Sequence, residues 1–409
     1  MDPEIRHPAR DELPAVIRTM NASFLETPDA DRVAADVAGT WDLDRLWAAF
    51  DGDRLVGTYR SFATELTIPG CARLPAAGVA GVSVMPDHRR RGILRRMVAE
   101  EHTASRDRGE AVALLYAAEY AIYGRFGYGP SCLEATWTLD TAGAGFHEDP
   151  TGVVEIAPSN AATRDAMIAV FEAWRARSPG EIQRAAYRWD YALGLRPSGW
   201  GDDWKGWVAL HRDDRGAVDG YVRYHAKDHW ERRQPRNTLV IDDMHALGSA
   251  AYAALWQFVA TLDWVGMVEA ERRSPAERLP WLLVNARAAT LTESGDGIWV
   301  RLFDVPRALE ARAYERSGRV VLEVVDGDPV GGRARLALDA SPEGATCRPT
   351  DRSPDLTLDV AALGAAFLGG TRLVDAVLAQ GVDEHRSGAL AEADAIFHTL
   401  QAPWCSTFF

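Results

Sequence analysis

The sequence has few cysteines, four among 409 residues. They stand at Cys71, Cys132, Cys347 and Cys405, and no two have the Cys-x-x-Cys spacing of a zinc knuckle or a redox pair. This scarcity argues against a disulfide framework and favours a reducing compartment. The histidines form no HExxH motif or other paired metal spacing, so the sequence predicts no metal site.

Long hydrophobic runs are also missing. No stretch approaches the roughly 20 apolar residues that a membrane-spanning helix needs. The first residues, MDPEIRHPARDELP, are charged and lack the apolar centre of a signal peptide. We therefore expect a soluble, cytoplasmic protein with no membrane partner.

Positive charge is in deficit, with 45 Lys and Arg against 59 Asp and Glu, a formal net charge of −14. Such a surface repels phosphate backbones and attracts cations, which disfavours a nucleic-acid partner and favours a cationic small molecule. A content of 47% hydrophobic and 25% charged residues is typical of a globular chain. The length is enough for two or three domains.

The order of predicted elements indicates a mixed α+β architecture in three parts. A small, turn-rich stretch at 141–154 is the predicted linker after the first part. The second part repeats the order of hairpin, strand and helix found in the first, which suggests a degenerate internal duplication. The third part ends in QAPWCSTFF. Because free chain ends are normally polar and mobile, we expect this aromatic end to be held in the structure.

The clearest local motif is AGVSVMPDHRRRGIL, where strand-like apolar residues give way to arginines, a glycine and an amphipathic helix. Backbone N–H groups in a first helical turn lack partners, and the helix dipole adds positive charge. Arg89, Arg90 and Arg91 add formal charge, and Gly92 permits close approach of a ligand. The motif predicts a pyrophosphate cradle, the alternative being a solvated basic face. We expect His88 to assist binding or to cap the turn.

A second motif, AAEYAIYGRFGYGP, places aromatic residues and glycines directly after a buried strand. We interpret Phe126 and Tyr128 as core residues. The spacing Arg89-x-x-Gly92 resembles the coenzyme A loop of the GNAT fold of N-acetyltransferases, although Leu94 takes the last small position. An acetyltransferase of that fold needs a proton donor for the departing thiolate, and Tyr123 is the candidate.

The motifs HRRRG and IYGRFGYGP together resemble those of the Eis (enhanced intracellular survival) family of acetyltransferases. The resemblance extends over the whole chain, including DGIWVRLFDVPRALEARAY at 296–314. It implies a catalytic acetyltransferase domain at 1–145, a degenerate acetyltransferase-like domain at 146–295 and a sterol-carrier-like domain at 296–409. It also implies a homohexamer that acetylates amines of aminoglycosides or other amines with acetyl-CoA, by direct transfer in a ternary complex.

The resemblance assigns individual residues to the cofactor and to the reaction. The implied acetyl-CoA contacts are Val82 and Val84 on a strand, and Arg89, Arg90, Gly92 and Ile93 on the pyrophosphate loop. Tyr123 is the implied general acid, and the free C-terminal carboxylate of Phe409 is the implied general base. A terminal carboxylate has a pKa near 3.3–3.7, so we expect partial desolvation to raise it.

Two substrate contacts also follow from the resemblance, Phe24 and Glu26, an aromatic and an acidic residue that would face a cationic substrate. A further acidic position of the family is replaced here by Phe408, which weakens the expectation of a highly charged aminoglycoside. Ala118 replaces a small hydroxyl residue that can contact the cofactor arm.

Other functions stay open on the sequence alone. One is an acyl-CoA or lipid carrier, or a regulatory protein, in which catalysis is vestigial. Another is a scaffold that regulates a partner. Among enzymes, the acceptor could also be a polyamine or a lysine side chain of a protein.

Overall fold

The computed structural model describes residues 2–328, 331–375 and 381–409. The helices are α1 (Leu13–Phe24), α2 (Ala30–Val37), α3 (Ile93–Asp107), α4 (Tyr120–Tyr123), α5 (Ala161–Arg175), α6 (Ala186–Ala192), α7 (Ser249–Ala260), α8 (Val305–Ala311), α9 (Val360–Phe367) and α10 (Ala389–Phe397). The strands are β1 (Glu4–Arg6), β2 (Leu46–Asp51), β3 (Arg54–Thr67), β4 (Arg73–Val84), β5 (Val112–Tyr116), β6 (Gly129–Pro130), β7 (Leu133–Asp140), β8 (Val153–Ala157), β9 (Trp207–Arg212), β10 (Val218–Lys227), β11 (Trp230–Glu231), β12 (Gln234–Pro235), β13 (Asn237–Ala246), β14 (Val265–Arg273), β15 (Ala289–Asp296), β16 (Ile298–Leu302), β17 (Gly318–Asp326), β18 (Gly332–Ser341), β19 (Gly344–Pro349), β20 (Leu356–Asp359) and β21 (Val382–Glu384). No helix in these ranges is long and apolar enough to cross a membrane.

The first sheet has the order β1-β2-β3-β4-β5-β16-β6 and carries helices on both faces. Neighbouring residues of β2 point to opposite faces, as strand geometry requires. Ala48 packs with α1 and α2, whereas Ala49 packs with α3. Helix α3 connects β4 to the parallel strand β5 and buries Ile93 and Met97, which lie one turn apart.

The second sheet has the order β15-β7-β14-β13-β10-β9-β8. It repeats the central unit of the first, because β13, helix α7 and the parallel strand β14 follow one another as β4, α3 and β5 do. The predicted mixed α+β fold with a duplicated unit is therefore confirmed.

Two strands are exchanged between these sheets. Strand β7 follows the first unit in the chain but lies in the second sheet between β15 and β14. Strand β16 follows the second unit but lies in the first sheet between β5 and β6. The domain boundaries predicted at 145 and 295 stay predictions. At β7 and β16, each strand belongs to a different sheet from the strands that precede it in its own unit.

The third unit is a five-stranded sheet of order β19-β18-β17-β20-β21 with α9 and α10 packed on it. Helix α9 also packs on β16 and β6 of the first sheet, and one apolar core runs through both units. Two glycines permit this contact. A Cβ on Gly364 would lie 2.2 Å from the Val300 carbonyl oxygen, and one on Gly129 would lie 2.0 Å from the Ala361 carbonyl oxygen.

The substitution Gly129→Ala should loosen the contact between α9 and the first sheet. The added methyl group meets helix backbone, which cannot move without the whole helix, and overpacking of this kind costs about 1–3 kcal/mol. The expected result is a lower thermal unfolding midpoint. Gly295→Ala is the control, because a Cβ there meets nothing within 4 Å. Equal midpoints for the two variants would contradict the packing described.

Candidate active site

The central parallel strands of the first sheet separate at their carboxyl ends. The ladder between β4 and β5 ends at the pair Gly78 and Leu114. Strand β4 nevertheless continues to Val84 and β5 to Tyr116. The two strands therefore enclose an opening, and the half-buried Val82 and Val84 lie along it.

A bulge in β4 accounts for the separation. The register with β3 shifts between Thr58 and Arg60, opposite Gly81, which has a φ of +62°. The Thr58 hydroxyl donates to the Gly81 carbonyl oxygen at 2.8 Å and fixes the bulge. Bulges bend the strand that contains them, and here the bend redirects the last residues of β4.

The loop after β4 leads into an exposed helix N-terminus. It contains two left-handed residues, Arg90 with φ +63° and Gly92 with φ +75°. Helix α3 begins at Ile93, and its first-turn N–H groups lack acceptors within the helix. A Cβ on Gly92 would meet nothing within 4 Å, so the space in front of this turn is open.

The arginines of this loop are exposed. Arg89 Nε donates to the Val84 carbonyl oxygen at 3.4 Å, and Arg91 Nη2 donates to the Asp87 carbonyl oxygen at 3.1 Å. Both groups thus hydrogen-bond backbone carbonyls. A backbone partner does not neutralise a guanidinium, so the charge remains available to an anion at the helix N-terminus.

His88 ties the loop to the sheet. Its side chain is buried, with Nδ1 2.8 Å from Asp87 Oδ1 and Nε2 3.1 Å from Asp51 Oδ2 at the end of β2. Hydrogen bonds from His88 and Arg54 lower the pKa of Asp87 to about 2. The imidazole therefore holds the turn in place through these two carboxylates.

Tyr123 ends the short helix α4 and is 9% exposed. Burial raises the pKa of its phenol to about 12, with a smaller contribution from the negative charge of Glu119. The phenol therefore stays protonated at neutral pH and can donate its proton. Its ring meets that of Tyr128 edge-on, at 6.2 Å between centroids.

Tyr128 lies inside a buried polar network beneath the site. Its hydroxyl is 3.4 Å from the Tyr59 hydroxyl and 3.3 Å from Nε2 of His102. Nδ1 of His102 in turn lies 2.5 Å from a carboxylate oxygen of Asp328. Arg301 bonds the same carboxylate at 3.1 Å and donates to the Phe126 carbonyl oxygen at 2.8 Å. The segment that follows Tyr123 is thereby fixed to the third unit.

The C-terminal residues lie at the end of β5. The ring of Phe409 is 5.1 Å from that of Phe62 and 5.2 Å from that of Tyr116, edge-on in both cases. The Tyr116 hydroxyl donates to the Thr407 carbonyl oxygen at 3.2 Å. Helix α4 begins four residues after Tyr116. The structure therefore places both the end of the chain and the segment containing Tyr123 beyond the end of β5.

Phe24 and Glu26 lie at the end of α1 and are both exposed. The Ser23 hydroxyl is 4.0 Å from Sδ of Met85, which places this turn beside the end of β4. Within the described ranges no hydrogen bond joins Phe24 or Glu26 to Tyr123 or to the C-terminal residues. They remain candidates for contact with a substrate and are not part of the bonded network.

Several residues of the site have no sequence motif. Tyr116 ends an apolar strand and Phe62 lies within a long strand, so the sequence predicts only that both residues belong to the core. Arg184 contacts the C-terminal segment by hydrogen bonds, and Arg188 donates to the Phe408 carbonyl oxygen. Both arginines come from a stretch without clear periodicity. Only the fold brings them to the chain end.

The described residues suit a coenzyme A thioester. The open helix N-terminus with its arginines fits a diphosphate, and the opening beside Val82 and Val84 fits an extended arm that needs backbone partners. Among the residues described, no three His, Cys, Asp or Glu side chains are grouped so as to hold a metal ion.

Family comparisons divide the chain into three parts. A family described as acetyltransferase (GNAT) domain matches residues 4–131, and a second family with the same description matches residues 180–302. A sterol carrier protein domain family matches residues 305–406. The predicted order of two acetyltransferase-like domains and a sterol-carrier-like domain is thus confirmed.

Relatives match over nearly the full chain. An uncharacterized N-acetyltransferase of Streptomyces griseus is 41% identical over 96% of each chain. The N-acetyltransferase Eis of Mycobacterium tuberculosis is 33% identical over 95% of each chain. The crystal structure of Eis1 from Mycobacterium abscessus, at 33% identity, superposes with a TM-score of 0.85 and covers 99% of this chain and 100% of that one.

Proposed function

The chain belongs to the Eis family of GNAT N-acetyltransferases, and from this premise we propose that it acetylates an amine of a cationic small molecule by direct transfer from acetyl-CoA in a ternary complex. The observation that carries the proposal is the position of Phe409. The last residue of the chain packs against Tyr116 at the end of β5, beside the opening between β4 and β5.

The proposed binding of acetyl-CoA uses both parts of the opening. Arg89, Arg90 and the N–H groups at Gly92 and Ile93 would hold the diphosphate, since they combine formal charge with unpaired donors. Val82 and Val84 would hydrogen-bond the pantetheine arm through their backbone. Acetyl-CoA, when bound, supplies the acetyl group as a thioester.

The proposed proton transfers involve two groups, the carboxylate of Phe409 and the phenol of Tyr123. The Phe409 carboxylate accepts a proton from the substrate ammonium, directly or through water, and leaves a neutral amine that is nucleophilic. The amine nitrogen then attacks the thioester carbon, and a backbone N–H near Val84 donates to the carbonyl oxygen of that thioester as negative charge develops on it. As the C–N bond forms and the C–S bond breaks, the nitrogen loses a proton to solvent. Tyr123, protonated because its pKa is about 12, donates its proton to the departing sulfur.

The acceptor is proposed to be an aminoglycoside-like molecule or a polyamine. The net charge of −14 and the exposed Glu26 favour a cation. Turnover of acetyl-CoA with a panel of polyamines, aminoglycosides and lysine peptides, measured as free thiol, tests this assignment. Turnover with lysine peptides alone would replace the small-molecule acceptor by a protein, and the absence of turnover with every amine would favour a carrier.

Homohexameric assembly and cytoplasmic location complete the proposal and rest on the resemblance to the family. Light scattering on the purified protein gives the mass of the assembly directly, and a mass other than that of six chains would exclude the hexamer.

Adding residues after Phe409 should abolish most turnover. The extension converts the terminal carboxylate into a peptide bond, which cannot accept a proton at this position, and losing a general base costs roughly 10²–10⁴ in rate. The same residues added at the N-terminus are the control. Full kcat in the C-terminally extended protein would exclude the carboxylate as the base.

The substitution Tyr123→Phe should lower kcat by roughly 10²–10⁴ while the Kd for acetyl-CoA stays unchanged, because only the proton donor is removed. Tyr120→Phe is the matched control, since Tyr120 lies in the same short helix but is 62% exposed. Isothermal titration and steady-state kinetics give the two quantities. Unchanged kcat would remove Tyr123 from the mechanism.

The pH profile tests the protonation of Tyr123 separately. Burial raises its pKa from the ordinary value near 10 to about 12, so the proton-donating form persists to higher pH. The kcat at saturating substrates should therefore show no falling limb below about pH 10. A falling limb in that range that disappears in Tyr123→Phe would contradict the raised pKa.

A further inference from the structure

The second sheet has an opening in the same place as the first. Strand β13 pairs with the parallel strand β14 only as far as Ile241 and Ala270. Beyond that pair β13 continues to Ala246 and β14 to Arg273. In the repeated unit this gap corresponds to the opening between β4 and β5, where the acetyl-CoA arm is proposed to bind.

Trp404 of the C-terminal segment occupies this gap. Its Nε1 donates to the Arg272 carbonyl oxygen on β14 at 2.8 Å, and the guanidinium of Arg273 lies 4.9 Å from the ring centroid. On the other side the ring stacks on that of His245 of β13, at 6.1 Å between centroids. The indole therefore contacts both separated strands.

Ser406 continues the contact with the second domain. Its backbone N–H donates to Oε2 of Glu181 at 2.8 Å, and its hydroxyl lies 2.6 Å from the same oxygen. Nε2 of His245 is 3.2 Å from that hydroxyl. Two residues earlier, the Trp404 N–H donates to the Pro179 carbonyl oxygen at 3.0 Å, so backbone and side chains are both bound.

Arg184 joins the end of the segment to β13. Its Nε donates to Thr407 Oγ1 at 2.8 Å and its Nη2 to Ser406 Oγ at 2.9 Å, while Nη1 bonds Asp243 Oδ2 at 2.5 Å. The guanidinium also lies 4.0 Å above the ring of Phe171. Burial lowers the pKa of Arg184, but the negative charge of Asp243, its hydrogen bond with Arg184 and contributions from Tyr221 and Glu181 together outweigh burial and raise it, so the group stays charged.

The segment reaches the first sheet immediately after these contacts. The Thr407 carbonyl oxygen accepts from Tyr116 of β5, and Phe409 packs between Tyr116 and Phe62. Trp404 and Ser406 therefore contact β14 and β13 of the second sheet, Arg184 binds Thr407, and the last residue lies against the first sheet.

We propose that the opening between β13 and β14 is a socket for Trp404–Thr407 and that Arg184 is a positioning residue that sets where the Phe409 carboxylate lies. The inference rests on the proposed role of Phe409 as the base. It gives the second domain a role in the reaction, because Arg184 and the opening between β13 and β14 belong to that domain.

The test variant keeps the buried charge of Asp243 paired. Arg184→Lys retains a cation for Asp243 but cannot also supply the donors to Ser406 and Thr407, because lysine lacks the planar fork. The matched control is Arg212→Lys, a change of the same kind at a partly exposed arginine paired with Glu155. A second variant, Ser406→Ala with Thr407→Val, removes the same two acceptors without changing any charge.

The experiment measures release of Phe409 from the full-length protein by carboxypeptidase, followed by mass spectrometry, alongside kcat, KM for acetyl-CoA and the thermal unfolding midpoint. In Arg184→Lys and in the double variant, we expect Phe409 to be released roughly tenfold faster or more, because two hydrogen bonds to the segment are lost. The kcat should fall by roughly tenfold, because a reacting group misplaced by about 1 Å can lose up to about 10²-fold in rate. The KM for acetyl-CoA and the unfolding midpoint should stay close to those of Arg212→Lys.

The two readouts separate the socket from the positioning role of Arg184. Release of Phe409 at the wild-type rate in both variants would overturn the socket. Faster release with unchanged kcat would support the socket and overturn the positioning role of Arg184, while the C-terminally extended protein decides separately whether the carboxylate is the base. Faster release with a lower kcat supports both. If Arg184→Lys does not fold, the double variant gives the same comparison.

Discussion

The buried ion pair of Arg184 and Asp243 is the interaction on which the rest of the site depends. A chain end is ordinarily the most mobile part of a protein, and fixing each residue costs about 1–2 kcal/mol of backbone entropy. Here the cost is offset by contacts of the last six residues, including the bonds from Arg184 to Ser406 and Thr407. Asp243 holds the guanidinium in place, and the Tyr221 hydroxyl bonds the same carboxylate at 2.7 Å.

The exchange of β7 and β16 makes this arrangement possible. The C-terminal segment binds both sheets, so a change in their relative position would move Phe409 away from the end of β5. Strand β16 pairs with β5 itself, from Ile298 opposite Tyr116 to Leu302 opposite Val112, and the chain enters it directly from β15 of the second sheet. The strand that presents Tyr116 is thus hydrogen-bonded to a segment that continues into the other sheet.

The features of the site that could be predicted from sequence motifs are those whose residues are contiguous in the chain. The contacts between residues that are distant in the chain could not be predicted in this way. The loop at Arg89–Gly92 is recognisable because strand end, arginines, glycine and helix are contiguous in the chain. The burial of the chain end follows from its aromatic composition. The partners of that end could not be predicted, since Arg184 and Tyr116 lie in stretches that resemble ordinary loop and core. The strand exchange could not be predicted either, because nothing in the sequence of β7 or β16 indicates which of the two sheets that strand joins.

The charges around the two openings differ in whether they are already paired with carboxylates. In the first copy the arginines after β4 are exposed, and the bonds of Arg89 and Arg91 go to backbone carbonyls, so positive charge is available for a diphosphate. In the second copy Arg184 is paired with Asp243, and Arg273 bonds Glu277 at 2.8 Å. An anion entering there would meet carboxylates and already neutralised guanidinium groups, whereas an uncharged segment such as WCST meets hydrogen-bonding partners and aromatic rings. The pairing of charges at the second opening therefore disfavours an anion such as a diphosphate and is compatible with the uncharged end of the chain.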